Sequence, residues 1–144
     1  QDEVEMLNRI ESGVLDAPVD ISQAVNLEDL IAIQNLVKKV YVDPAVKQYI
    51  VTLITATRNA GNYIPAELAK YVEYGASPRG SITLMQVAQA LALISGRDYV
   101  TPDDVKQLRY SVLRHRIILN FEAVADGVHQ EAIIDAVFAA IQTP

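Results

Sequence analysis

The chain has 144 residues, a formal net charge of −6 and 51% hydrophobic residues, which suits one compact domain with a sizeable core. No cysteine occurs, so disulfides and thiolate metal sites are excluded and a reducing compartment is allowed. The acidic balance argues against non-specific nucleic-acid binding, which needs a net basic surface, and no apolar run approaches the roughly 18 residues that span a bilayer.

The start, Gln1-Asp2-Glu3, is neither a basic signal region nor an initiator Met, so a soluble excerpt of a longer protein is expected. Val4, Leu7 and Ile10 are spaced as on one helix face, and the acids Asp2, Glu3 and Glu5 favour its first turn, which predicts a helix to about Glu11. Residues 12–20 hold Gly13, Pro18 and two Asp without periodicity and read as an irregular connection. Asn26 can cap a helix whose apolar positions Ile33, Leu36, Val37 and Val40 are expected to face a core. Val40-Tyr41-Val42 is β-prone. Asp43-Pro44 then opens a second helix, with a cap followed by Pro at the first helical position. Its stripe of Val46, Tyr49, Ile50, Leu53 and Ile54 fades near Arg58, with Gly61 as the expected stop. Beyond it, Pro65 can open a short helix over residues 66–71. Alternatively, the segment is a loop carrying Tyr63, Tyr71 and Tyr74.

The stretch Gly75-Ala76-Ser77-Pro78-Arg79 leads into the most apolar helix of the chain. Ser77 fits the cap and Pro78 the first position, which makes Arg79 the second residue of that helix. A fixed cation beside the positive end of the helix dipole repels it, by a few tenths to about 1 kcal/mol when exposed. A bound anion reverses the sign, because free amides and a guanidinium fork then cooperate. Pairing with a carboxylate of its own domain is the competing account of Arg79, and the local pattern does not decide between them. Residues 81–95 are apolar nearly all round, interrupted only by Thr83, Gln86 and Gln89, and predict a central helix surrounded by others and stopped by Gly96. Thr101-Pro102-Asp103-Asp104 is a strong helix start for a helix using Val105, Leu108 and Val112. Arg109, Arg114, His115 and Arg116 suit its C-terminal end, either as solvated, dipole-matched cations or as an anion or acidic-partner surface. Residues 117–121 read as extended, 122–127 as a break, and Ile133, Val137, Phe138 and Ile141 define a last amphipathic helix.

Much chemistry is absent. No G-x-x-x-x-G-K-[ST] loop occurs, so the chain has no phosphate cradle of that type. His115 and His129 lack the spacing of a metal pair, and Ser77 lacks the surroundings of a nucleophile. Tyr63, Tyr71 and Tyr74 are aromatic enough to stack on a base, but in a helical domain packing is their more ordinary role.

The order Gly75-Ala76-Ser77-Pro78-Arg79, then Gly96-Arg97-Asp98-Tyr99-Val100-Thr101-Pro102-Asp103-Asp104-Val105, then Val112-Leu113-Arg114-His115-Arg116-Ile117 closely resembles the C-terminal helical lid of MoxR-type AAA+ ATPases. The resemblance implies a mainly α fold, a small helical bundle with room for a minor two-stranded sheet. It also implies a division into a connector over residues 1–25 and a lid over 26–144. In such a lid Arg79 is the catalytic sensor 2 arginine, and Ser77, Pro78 and Arg79 are the nucleotide-binding residues. From there Arg79 reaches the γ-phosphate of ATP, held with Mg2+ on the preceding core domain, and couples hydrolysis to lid rotation. The implied partners are that upstream core, neighbouring subunits of a ring, commonly a hexamer, and a von Willebrand factor A-domain protein. Neither nucleic acid nor a membrane span is implied. The implied role is chaperone-like assembly or metal-cofactor maturation of client complexes in the cytoplasm. Gly80 stands where a small alanine is common, and the Walker motifs, sensor 1 and arginine finger are missing, so residues 1–144 alone are expected to bind ATP weakly and not to hydrolyse it. The alternative of another class is a stand-alone helical adaptor binding partners through leftover apolar faces. A helical nucleic-acid module using the cations at 109–116 is disfavoured by the net charge.

Overall fold

Helix α3 (Pro44–Arg58) is the axis of the core, and its sequence explains why. Asp43 Oδ1 accepts from the Ala45 amide at 2.8 Å and Pro44 fills the first position, so the helix starts where cap chemistry dictates. Val46, Tyr49, Ile50, Leu53 and Ile54 then point inward and are all buried. The helix stops at Arg58 with Asn59 as C-cap and runs into a 3-10 turn, Ala60–Asn62. Gly61 lies inside that turn and is not the terminator expected of it.

The computed structural model describes residues 2–11 and 25–144, in two units, Gln1–Ile31 and Ala32–Pro144. The first contains α1 (Asp2–Glu11), as expected, with Val4, Leu7 and Ile10 exposed. The connection expected over residues 12–20 lies outside the described residues. Asn26 caps the start of α2 (Leu27–Val37), its Oδ1 accepting from the Asp29 amide at 2.8 Å. Contrary to expectation, Ile33 and Leu36 remain 45% and 48% exposed, and Val40, the residue of that set that is buried, follows the helix. Periodicity reports that a helix has an apolar face; it does not report what covers that face.

In the second unit α3 packs against α5 (Arg79–Ile94) and α9 (Gln130–Ala140), and α5 against α6 (Pro102–Gln107) and α7 (Arg109–Leu113). The fold is mainly helical, as expected, with one small antiparallel sheet. Its strands are β1 (Val72–Tyr74) and β2 (Ile118–Leu119), with Val72 opposite Leu119. The β-prone pieces at Tyr41 and Tyr99 meet only in a single parallel bridge, with Tyr41 N–H donating to Asp98 O at 2.7 Å and Val100 N–H to Tyr41 O at 2.9 Å. The short helix opened by Pro65 is present as α4 (Ala66–Ala69). The break expected at 122–127 is instead largely helix α8 (Phe121–Ala125), because the Asn120 side chain accepts from the Ala123 amide and caps it.

Helix α5 does not match the expectation of burial all round. Leu84, Ala88 and Ala92, spaced by four, form its buried face, while Ile82 and Ile94 stay exposed. Gln89 is buried within it, its Nε2 donating to Val40 O at 2.8 Å, which satisfies a carbonyl in the non-helical link before α3. The end of α5 is the expected glycine stop: Gly96 has φ +74°, Gly96 N–H donates to Leu93 O and Arg97 N–H to Ala92 O, the Schellman pattern.

Candidate functional site

The loop before α5 is fastened to the end of α3 at both polar groups of one peptide unit. Thr57 is fully buried. Its hydroxyl donates to Ile54 O at 2.7 Å and accepts from Ala76 N–H at 3.0 Å. Arg58 Nη1 donates to Ala76 O at 3.0 Å. This close approach requires a glycine one residue earlier, since a Cβ on Gly75 would lie 2.3 Å from Thr57 O and 2.4 Å from Thr57 C. Gly80 is also tightly enclosed, with Ile54 Cδ1 3.2 Å, Ala76 Cβ 3.5 Å and Arg116 Cδ 3.7 Å from an ideal Cβ.

Ser77, Pro78 and Arg79 emerge from this clamp and are exposed. The side chain of Ser77 makes no cap bond, which corrects the expected hydroxyl cap. Gly80 N–H donates instead to Ser77 O at 2.8 Å and Ser81 N–H to Pro78 O at 3.1 Å, a tight first turn. Pro78 takes helical angles, φ −54° and ψ −24°, as its ring favours. Arg79 is therefore the first residue of α5 rather than its second. Among the described residues no carboxylate pairs with it.

The cations at 109–116 separate into two groups. Arg109 Nε reaches Asp135 at 3.0 Å and Arg114 Nε reaches Glu131 at 2.5 Å, both on α9. Arg116 turns the other way, to α5: Nη2 donates to Thr83 Oγ1 at 3.1 Å, and Nη1 meets the His115 ring nitrogen. The second expected helix start is a complete capping box. Thr101 Oγ1 accepts from the Asp104 amide, and Asp104 Oδ2 accepts from the Thr101 amide at 2.8 Å. Asp104 also takes a two-pronged ion pair from Arg97, at 2.6 and 2.8 Å. Burial pushes the Asp104 carboxyl up, but the hydrogen bonds from Arg97 and Thr101 outweigh it and hold the group below the ordinary carboxylate range.

Of the three tyrosines considered for stacking, Tyr71 is buried and donates to Asp126 Oδ2 at 2.7 Å, which makes it a packing residue. Tyr63 and Tyr74 are exposed. Among the described residues no group of three or more His, Asp or Glu could hold a metal, and no helix is long and apolar enough to cross a membrane. The contacts of Thr57 and Arg58 were not legible in the sequence. Gly75 was the available signal, but its partner lies 18 residues upstream.

Among the described residues, a glycine-dependent loop thus places Arg79, without a carboxylate partner, at the head of α5, the longest of the helices. The AAA lid domain family matches residues 66–137, and the chain belongs to that family. Its relatives narrow this to the MoxR type. It is 35% identical over 127 residues to the chaperone MoxR1 of Mycobacterium tuberculosis, covering 88% of this chain and 34% of the relative. With the uncharacterized protein YeaC of Bacillus subtilis it shares 41% identity over 117 residues, 81% of this chain and 34% of that one. A crystal structure from Cytophaga hutchinsonii, assigned as an ATPase, superposes with a TM-score of 0.84 at 34% identity, covering 99% of this chain and 42% of that one. The chain thus spans about a third of the length of the curated relatives it matches.

Proposed function

We propose that this lid supplies the sensor 2 arginine, Arg79, to ATP held with Mg2+ on the ATPase core that residues 1–25 connect to it. The observation that carries the reading is Arg79 itself, an exposed guanidinium at the head of α5, without a carboxylate partner among the described residues and following a loop clamped at Ala76. Those features fit a triphosphate. A planar fork of donors suits phosphate oxygens, and the start of a 16-residue helix is already positive.

Mg-ATP contributes the cleavable terminal phosphate; this chain contributes the reading of it. Arg79 pairs with phosphate oxygens and Ser77 and Pro78 set the turn that aims it. Because only a contact that differs between two states can shift their balance, an arginine bonded to the terminal phosphate favours one lid orientation before hydrolysis and releases it afterwards. The clamp at Thr57 and Arg58 then transmits that change to α3 and the core of the lid. Chaperone-like assembly or maturation of client complexes, in a ring of subunits with a von Willebrand factor A-domain partner, is the cellular role this reading supports. The cytoplasm is the compartment it favours. The largely exposed Phe121 and Val124 of α8 supply an apolar patch for such contacts, and the same patch supports the alternative of a helical adaptor.

The test is Arg79→Ala in the full-length protein. ATP turnover is expected to fall at least tenfold, a loss of ~1.4 kcal/mol of barrier stabilisation. Unchanged turnover together with unchanged ATP affinity would remove the sensor role.

A further inference from the structure

We infer that Arg116 is a second guanidinium on the same anion as Arg79, so that the lid grips the polyphosphate of a nucleoside triphosphate with two arginines. The inference rests on the sensor reading of Arg79 and extends it to a residue 37 positions further along the chain.

The first ground is how charge is distributed. Among the described arginine side chains, Arg97, Arg109 and Arg114 each pair with a carboxylate, Asp104, Asp135 and Glu131 respectively. Arg58, Arg79 and Arg116 pair with none, and each either belongs to or hydrogen-bonds residues 76–83. Arg58 donates to Ala76 O, Arg79 opens α5, and Arg116 donates to Thr83. A chain with 18 acidic residues against 12 basic ones could easily have placed a carboxylate there. The described arginines without a carboxylate partner instead gather around the loop and first turns that open α5.

The second ground is position. Thr83 stands four residues after Arg79 on α5, so their side chains share one helix face, with Cβ atoms about 5–6 Å apart. The Arg116 guanidinium at the Thr83 hydroxyl is thereby brought to the face that Arg79 occupies, and Thr83 in turn donates to Arg79 O at 3.0 Å. An ideal Cβ at Gly80 would lie in ordinary van der Waals contact with Arg116 Cδ, at 3.7 Å, so the Arg116 side chain runs alongside the first turn of α5. Arg116 is half-buried. Its neighbours, a hydroxyl and an imidazole nitrogen, use one hydrogen on each terminal nitrogen and leave Nε and two further N–H groups available. Two cations on one face repel, and a partly desolvated cation without a counter-charge is unfavourable. An anion with charge spread over several ångströms removes both penalties, and a triphosphate is such an anion. Arg58 is the less suited of the two candidates because its bonds, to Ala76 O and Thr55 Oγ1, hold it at the loop and the end of α3, whereas Arg116 bonds a residue of α5 one turn from Arg79.

The experiment uses the full-length protein and compares wild type, Arg79→Ala and Arg116→Gln. Titration calorimetry gives the affinities for a non-hydrolysable ATP analogue with Mg2+ and for ADP with Mg2+. Arg116→Gln is expected to weaken the triphosphate at least tenfold and the diphosphate by no more than about twofold. An unchanged triphosphate-to-diphosphate ratio overturns the inference, as does an equal loss for both nucleotides with a lowered melting temperature, which would make Arg116 a brace for α5 or a partner for a carboxylate of another domain. If Arg116→Gln melts below the assay temperature, Arg116→Lys, which keeps the charge and loses the fork, decides by the same ratio. A threefold or greater shift supports the inference and none contradicts it. A ratio that moves with Arg79→Ala but not with Arg116→Gln refutes this inference and leaves the sensor reading standing. Movement with Arg116→Gln alone refutes the sensor reading and keeps Arg116 as an anion contact. No movement with either refutes both.

Discussion

Thr57 and Gly75 fix the loop that carries Arg79, the proposed phosphate contact. Thr57→Val keeps the shape of the side chain but leaves Ala76 N–H buried without an acceptor, at a cost of about 1–3 kcal/mol. Thr57→Ser should recover most of that, and urea unfolding of the two variants measures the difference. Gly75→Ala forces backbone apart, because a 2.3 Å approach to Thr57 O has no flexible atom to yield. It is expected to lower stability by more than Thr57→Val and to lower ATP turnover of the full-length protein as well, since the loop that carries Arg79 must shift. The sequence made Arg79 conspicuous through its place after Ser-Pro, and it marked Gly75 only as part of a motif. It offered Arg116 only within the cations at 109–116, as dipole-matched or as an anion or acidic-partner surface, and did not pair it with Thr83, 33 residues away.

Capped elements were the legible ones. Asn26, Asp43 and Thr101 start their helices as local chemistry requires. Ser77 did not, because the loop before it is held by tertiary bonds to Thr57 and Arg58 and the first turn of α5 closes through the Ser77 carbonyl instead. The helix expected to start at Thr101-Pro102 and to use Val105, Leu108 and Val112 divides at Leu108, whose ψ is −3°, and the Arg109 side chain donates to the Lys106 carbonyl. The start of α6 carries a pH prediction. Asp104 has a folded-state pKa depressed below its unfolded value near 3.9. Its stabilising contribution is therefore complete above pH of about 4 and disappears as pH falls through the lower, folded value. Asp104→Asn should cost about 2–3 kcal/mol at neutral pH, less than a fully buried pair because Arg97 is partly exposed. It should also flatten the acid limb of the stability curve, as denaturant melts across pH 2–7 would show. A pH dependence unchanged by Asp104→Asn would assign the acid sensitivity to other carboxylates.

At the scale of the molecule, the fold class followed from periodicity and the motif order, while burial did not. Ile33 and Leu36 of α2, Ile82 and Ile94 of α5 and Phe121 of α8 are apolar yet exposed in the described chain. Helical spacing predicts a face, and the partner of that face need not belong to the same segment. A lid of the MoxR type that spans about a third of its curated relatives accounts for a site with a cation and no cradle. Residues 1–144 alone are therefore expected to release no phosphate from ATP above background in a coupled assay. Whether Arg79 reads the terminal phosphate is decided by the structure of the full-length protein with a non-hydrolysable ATP analogue and Mg2+. A guanidinium nitrogen of Arg79 is expected within about 3 Å of an oxygen of the terminal phosphate. An Arg79 paired with a carboxylate of its own lid, and turned away from the nucleotide, would contradict it.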